Sequence, residues 1–300
     1  MARPPLPPPA LNDAPLEPGL YLVATPIGNL RDITLRALDV LAGCDLILAE
    51  DTRVTGKLMS AYGLKKKLER CDDHAAARIA PKILELLAEG GRIALVSDAG
   101  TPLINDPGYR IVTAAAERGI QVIPIPGPVA FVAALTASGL STDELFFGGF
   151  LPARRTARRA KLEQLRSVRA TLIFYEAPHR IAASLKDCAE VMGDRHAVVA
   201  RELTKLHEEF ARGTLNELAE RFAQARAARG EMVLMISGAA ETSPAKTEGS
   251  TDERLVERVN ELESEGLNPK DALKRAAREL GVKRAEAYRI MLAQKNRRNK

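Results

Sequence analysis

The sequence predicts an α/β fold: two successive sets of strands alternating with helices, followed by a small helical unit. Three observations carry this. Short apolar runs such as GLYLVATPIG, DLILAED and RIALVSDAG recur, and segments with helical spacing lie between them. The runs are continuously apolar, which suits strands of a parallel sheet covered on both faces. The pattern then breaks at AAETSPAKTEGS, a small and polar stretch beyond which only helical periods occur.

Residues 1–17 hold many of the prolines, read as a disordered arm; no apolar h-region marks a secretion signal there. Residues 18–142 form the first set. After GLYLVATPIG, the segment NLRDITLRALDVLAGC spaces Ile33, Leu35, Leu38 and Leu41 as a helix does. DLILAED is the next strand, APKILELLAEGG a helix ended by glycines, RIALVSDAG a strand and GYRIVTAAAERG a helix. IQVIPIPGP enters a Pro-Gly turn, and VAFVAALTASG is a helix of small residues.

Residues 143–238 form the second set, with strands in ELFFGGFL, ATLIFYEAP, HAVVARELT and EMVLMISG. Helices fall in ARRTARRAKLEQLRSV, HRIAASLKDCAEVMG and TLNELAERFAQA. After the linker at 239–250, residues 251–300 read as three helices. Asn268 is placed as a cap, Pro269 in the first turn, and Gly281 makes a turn before the last, basic helix. That spacing resembles a helix-turn-helix unit.

No apolar run is long enough to span a membrane. Cys44, Cys71 and Cys188 are scattered and odd in number, which fits a reducing, cytoplasmic setting and argues against structural zinc. His74, His179, His196 and His207 have no metal-ligand spacing, so no metal site is expected. Net charge is +5, and residues 266–300 alone hold 11 Lys/Arg against three Asp/Glu. A basic tail on a near-neutral body suggests a polyanionic partner, with a merely solvated helix as the alternative.

Six strand ends carry unusual chemistry: ATPIGNL, AEDTR, SDAGTPLINDPG, PGPVA, YEAPHR and RELTK. Turn formation explains any one of them; six at the carboxyl ends of strands predict a ligand cleft. The dinucleotide fingerprint GxGxxG is missing, VTGKLMS matches a P-loop only in part, and HExxH and GxSxG are absent.

YLVATPIGNLRDIT, AEDTR, SDAGTPLINDPG, IPGPVA, FYEAPHR and RELTKLHEEF together resemble the bacterial ribosomal RNA small subunit methyltransferase I family, within the tetrapyrrole methylase superfamily. The resemblance runs from about Gly19 to Ser237, and the tail is similar too. It implies two α/β domains of the tetrapyrrole methylase type, with S-adenosylmethionine in the cleft between them, and a homodimer. It implies 2′-O-methylation of a cytidine ribose in 16S rRNA at the decoding centre of the 30S subunit. By the same resemblance, Asp98 and the backbone of Ala99, Gly100 and Thr101 belong to the cofactor loop. Pro26, Ile27 and Gly28, and Pro126 to Ala130 with Val129, form its other walls, and Tyr175 and Met232 add to it from the second domain. Asp106-Pro107-Gly108 reads either as part of that loop or as a helix cap.

A ribose hydroxyl is a poor nucleophile, so a nearby base is expected. Glu50, Asp51, Glu176 and His179, with Glu202 and Lys205, stand at strand ends; Glu50 and Glu176 are the two acids expected to face the ribose, and the resemblance does not settle the base. For RNA phosphates the candidates are Arg53, the basic segment with Arg154, Arg155, Arg158 and Arg159, and Lys283, Arg284 and Arg289 in the tail. Two other readings stay open: methylation of a porphyrin or corrin precursor, and a non-enzymatic RNA-binding protein on a methylase fold.

Overall fold

In the first sheet, neighbouring residues of each strand face opposite helical layers. Leu20, Leu48, Ile93 and Leu95 pack with Ile79, Ile83 and Ile111 on one face. Tyr21, Val23, Ile47, Ala49 and Val96 pack with Val40, Leu41 and Met59 on the other. This two-sided burial is why the runs are continuously apolar. The computed structural model describes residues 11–12, 14–104, 106, 108–224, 230–240, 251–283 and 286–292, with residues 73, 74, 251, 253 and 254 described by their backbone alone.

The chain runs β1 (Gly19–Val23), α1 (Leu35–Gly43), β2 (Leu46–Ala49), α2 (Thr52–Ala61), β3 (Leu68–Arg70), α3 (Asp73–Ala88), β4 (Arg92–Val96), α4 (Tyr109–Glu117), β5 (Val122–Ile125) and α5 (Ala130–Ser138). The first sheet is parallel throughout, in the order β3-β2-β4-β1-β5. Thr34, Asp51 and Asp72 cap α1, α2 and α3 by accepting backbone N–H groups. Helix α2 and the three-residue β3 are additions to the sequence reading. A short strand and a helix with a polar outer face leave little periodic signal.

The second set runs β6 (Leu145–Phe150), α6 (Arg155–Leu165), β7 (Thr171–Glu176), α7 (Ile181–Met192), β8 (His196–Arg201), β9 (Glu209–Thr214), α8 (Leu215–Gln224) and β10 (Met232–Ile236). Its sheet, β6-β7-β10-β8-β9, is mixed: β6 and β7 are parallel, while β10 lies antiparallel to both β7 and β8, and β8–β9 is an antiparallel pair. The sequence reading missed β9, whose polar EFARGT has no apolar run. Leu172, Phe174, Val199 and Leu234 pack under α6, α7 and α8. The other face, with Ile173, Val198, Val233 and Met235, is covered by Ala134 and Leu135 of α5. By packing, then, α5 serves the second sheet although it precedes residue 143.

Of the expected disordered arm, the described residues from 11 onward are anchored. Asn12 donates its N–H to Asp39 Oδ1 at 2.9 Å, and Leu16 packs against the α1 side of the first sheet; residues 1–10 and 13 lie outside the described residues.

Residues 1–240 and 241–300 are separate units. The second contains α9 (Thr251–Ser264), α10 (Pro269–Glu279) and a helical segment at 286–292. Leu255, Val259, Leu262, Ala272, Ala276 and Ala287 form its core. Asn268 accepts the Asp271 N–H at 3.0 Å, the expected cap. Cys44, Cys71 and Cys188 are free and buried. Among the described residues no helix is long and apolar enough to cross a membrane.

Candidate functional site

Because β1, β2, β4 and β5 are parallel, their carboxyl ends open on one edge of the first sheet. The second sheet brings the end of β7, the loop after β8 and, because β10 runs antiparallel, the start of β10: Met232 pairs with both Glu176 and Arg201. Between the two lies a cavity of about 580 Å³. Its walls include Ile27, Glu50, the 98–101 loop, Asp106, Val129 and Ala130 from one side, and Phe150, Tyr175, Glu202, Lys205, Glu231 and Met232 from the other.

The glycine- and proline-rich loop after β4 is fastened to its neighbours. Gly100 and Thr25 exchange two backbone hydrogen bonds of 2.8 and 3.0 Å. Ser97 Oγ donates to Gly100 O at 3.1 Å, and Thr101 Oγ1 to Pro128 O at 3.1 Å. The Asp51 N–H donates to Asp98 Oδ1 at 3.0 Å. Gly100 has φ +89°, which a side chain resists. Leu103, Glu202 and Thr204 adopt positive φ without being glycine (71°, 52° and 64°). All three lie on the two loops that meet at the cavity, and each costs about 1–3 kcal/mol, a strain typical of binding sites. At Gly28 the halves touch: a Cβ there would stand 2.8 Å from Lys205 Cγ and from Thr204 Oγ1.

The cavity is acidic. Glu50, Asp98, Asp106, Glu202 and Glu231 line it, with Lys205 as the lining cation. Lys205 Nζ lies 2.9 Å from Glu202 Oε1. Burial first, and then the neighbouring Glu50 carboxylate, push Asp106 up to about 6, against the Ser97 hydroxyl, which favours its charged form. Burial likewise raises the Tyr175 phenol to about 12. A site with this charge and with apolar walls at Ile27, Val129, Phe150 and Met232 suits a cation that also carries a flat, apolar group.

The structure gathers Glu50, Ile27, Asp98, Ala99, Gly100, Thr101, Val129, Ala130, Tyr175 and Met232 around this cavity. Pro26 and Gly28 line a second hollow of about 280 Å³ instead, which shares Asp98 with the first. Pro126 lines neither.

Three expectations need correction. Glu176 is fully buried, paired with Arg180 at 3.0 Å, and accepts from Ser184 Oγ at 2.5 Å and Ala177 N at 2.8 Å, so it braces the β7–α7 corner and lines neither hollow. His179 is exposed and lines neither hollow. Asp51 caps α2 and is held by the Arg53 guanidinium, which keeps its carboxyl well below the usual carboxylate range; it lines neither hollow.

The basic segment is also divided. Arg158 is buried, 2.6 Å from Asp187, and donates to the carbonyls of Pro152 and Ala153, so it holds α6 to α7 and is not on the surface. Arg155 and Arg159 pair with Asp187 and Glu190. Burial would raise Asp187, but hydrogen bonds from Arg155 and Arg158 outweigh it and hold the carboxyl below its ordinary value. Arg154 and Arg53 are exposed, as are Lys283 and Arg289 of the C-terminal unit; Arg284 lies outside the described residues.

Sequence reasoning missed Glu231 and Phe150, and it left Asp106 between two roles. Gly108 in the left-handed region is the N-cap of α4, with no side-chain cap bond, so Asp106 is a wall of the cavity. Glu231 immediately precedes β10, and only the antiparallel course of that strand brings it to the cleft.

Residues 19–219 match the family model of tetrapyrrole (corrin/porphyrin) methylases. A protein of Mesorhizobium japonicum named ribosomal RNA small subunit methyltransferase I is 46% identical over 94% of each chain. A protein of the same name from Vibrio cholerae is 50% identical over 76% of this chain and 78% of its own. Among solved structures, the methyltransferase CobJ superposes with a TM-score of 0.57 at 19% identity, covering 74% of this chain and 95% of its own. Cobalt precorrin-4 methyltransferase CbiF gives 0.54 at 18%, covering 72% and 93%. These two similarities bear on the fold.

Proposed function

The chain belongs to the ribosomal RNA small subunit methyltransferase I family of tetrapyrrole methylases, and from that premise we propose that it transfers a methyl group from S-adenosylmethionine to the 2′-oxygen of a cytidine ribose in 16S rRNA, at the decoding centre of the 30S subunit. S-Adenosylmethionine is the methyl donor of this family. The observation that carries the reading is the acidic cavity between the two sheets, floored by the fastened loop at 97–101.

The residues present fit the donor. Carboxylates of Asp98, Asp106 and Glu231 favour a sulfonium and an ammonium group, and the apolar walls favour a purine. The bound donor supplies a methyl already activated by the positive sulfur. The protein's part is then positioning and proton handling. The 97–101 loop and the Thr25–Gly100 pair hold the donor side rigid, which is worth more the less the site must reorganise. Glu50, Glu202 and Lys205 all line the cavity; Glu202 and Lys205 pair with each other at 2.9 Å, so Glu50 takes the role of base for the ribose hydroxyl. A base so placed contributes roughly 100- to 10,000-fold. RNA phosphates are held by Arg53 and Arg154 and by the C-terminal unit with Lys283, Arg284 and Arg289, and the enzyme acts as a homodimer.

Tritiated methyl transfer to naked 16S rRNA, 30S subunits and uroporphyrinogen, side by side, tests this. The expected outcome is label in RNA, in an alkali-resistant dinucleotide containing cytidine. Label confined to uroporphyrinogen overturns the reading in favour of a tetrapyrrole acceptor, and donor binding without transfer to any of them favours a non-enzymatic RNA-binding protein.

A further inference from the structure

The second hollow lies between the turn after β1 and helix α2, next to the donor cavity. It has a volume of about 280 Å³, and Leu30, Val54, Leu58 and Ala61 give it apolar walls. Leu30 and Val54 are 42% and 39% exposed, an open apolar surface of the kind that marks a binding groove. Its geometry is fixed: the Tyr62 hydroxyl donates to Leu30 O, and Thr25 Oγ1 donates to Ser97 O at 3.2 Å. One polar group is left over. Thr55 is only 2% exposed, lines the hollow, and has a hydroxyl with no hydrogen-bond partner. A buried hydroxyl left unpaired is costly, so such a group points to a ligand that satisfies it.

Three features define what fits. The volume is smaller than an ordinary drug-sized site and matches a single small ring with part of its sugar. The mouth carries Lys57, an exposed cation that has no carboxylate partner among the described residues and is free to meet a phosphate. Asp98 lines both hollows, so an occupant here abuts whatever lies in the donor cavity.

We propose that this hollow is the acceptor pocket: it takes one unstacked pyrimidine nucleotide, its ring between Leu30, Val54 and Leu58 and its phosphate toward Lys57. The inference rests on the reading of the chain as an RNA methyltransferase. It explains how a ribose within structured RNA reaches the donor: the nucleotide leaves its stack and its ring is held in a side pocket. Specificity for one ring over two then comes from the size of the hollow.

The test uses full-length protein with ¹³C-labelled Ile, Leu and Val methyl groups, saturated with S-adenosylhomocysteine so that the donor cavity is filled. Cytidine 5′-monophosphate is titrated in. The expected result is movement of the Leu30, Val54 and Leu58 methyl signals while those of Ile27 and Val129 stay still, with a smaller response to adenosine 5′-monophosphate. Unmoved signals, or movement confined to Ile27 and Val129, overturn the proposal; an equal response to both nucleotides overturns its single-ring part. A filling variant, Leu58→Trp, is expected to lower single-turnover transfer to 30S subunits roughly 100-fold, as misplacement of a reacting group does, with donor affinity unchanged. Thr55→Val keeps the shape, guards against a folding failure of the first variant, and is expected to weaken transfer less. Wild-type rates in both variants overturn the proposal while leaving RNA methylation intact. No transfer to RNA by the wild-type protein, together with moved Leu30 and Val54 signals, instead overturns the function and keeps the pocket.

Discussion

Asp98 Oδ1 accepts the backbone N–H of Asp51 at 3.0 Å, so the loop after β4 and the turn after β2 are joined by one carboxylate. The same side chain lines the larger cavity and the smaller hollow beside it. It thus fixes the wall common to both while presenting negative charge.

Asp98→Ala should weaken S-adenosylmethionine binding at least tenfold, since a hydrogen bond to a charged group is worth about 1.5–3 kcal/mol and the loop loses its tie as well. Asp98→Asn, which keeps an acceptor for Asp51, should fall between. Calorimetry with the donor alone measures both, and unchanged affinity in a folded Asp98→Ala protein removes Asp98 from the donor site.

Glu50 and Glu176 should separate cleanly. Glu50→Gln is expected to slow single-turnover transfer with little change in donor affinity or stability. Glu176→Gln leaves Arg180 without its buried partner and should cost about 3 kcal/mol of stability, read by urea unfolding, with donor binding retained. A stable Glu176→Gln protein that binds donor and RNA but transfers no methyl would restore Glu176 as a candidate base.

Donor affinity should depend on pH through Asp106. Its carboxyl titrates at about 6, raised by burial and by Glu50. A cation is bound best beside the ionised form, so affinity should rise as pH climbs from about 5 to 7, by about tenfold for each pKa unit that binding removes. Without donor the sign is opposite. A raised carboxyl stabilises the fold fully below its ordinary value of 3.8, and that contribution is lost as pH rises through about 6. Asp106→Asn should flatten both profiles. A binding profile unchanged by that variant assigns the pH dependence to another group.

Arg158 and Arg154 should likewise part company. Arg158→Ala removes the buried partner of Asp187 and should lower stability by about 3 kcal/mol. Arg154→Ala should leave stability unchanged and weaken RNA binding. Denaturant unfolding beside filter binding of 30S subunits distinguishes them, and equal RNA affinity in Arg154→Ala and wild type excludes a phosphate contact there.

Removing residues 241–300 should leave donor binding intact, because residues 1–240 form a unit of their own. Binding of 30S subunits should weaken, and its salt dependence should become shallower by a log–log slope of roughly 0.7–0.9 for each phosphate that the segment had neutralised. Filter binding over a salt series gives both quantities. Identical slopes with and without the segment mean that it does not hold RNA.

The sequence by itself determined the parallel first sheet, the glycine- and proline-rich loop that lines the cavity and the separate basic helical unit. Each rests on a local signal: continuous apolar runs, glycine and proline where the backbone must turn, and a break in composition. Ile27, Asp98 to Thr101, Val129 and Ala130 were legible because a parallel sheet gathers its strand ends on one edge. What the tertiary structure decided is which polar side chains face the cleft. Glu176 and Asp51 both follow a strand's apolar run, as Glu50 does, yet burial against Arg180 claims one and a helix cap with Arg53 claims the other. Arg154 and Arg158 differ by one helical turn, yet only Arg158 meets a buried carboxylate. Glu231 and Met232 reach the site because β10 runs antiparallel, and β9 formed without an apolar run because β8 gave it a partner. Strand direction and ion-pair partners depend on residues distant in the chain, so no local pattern records them.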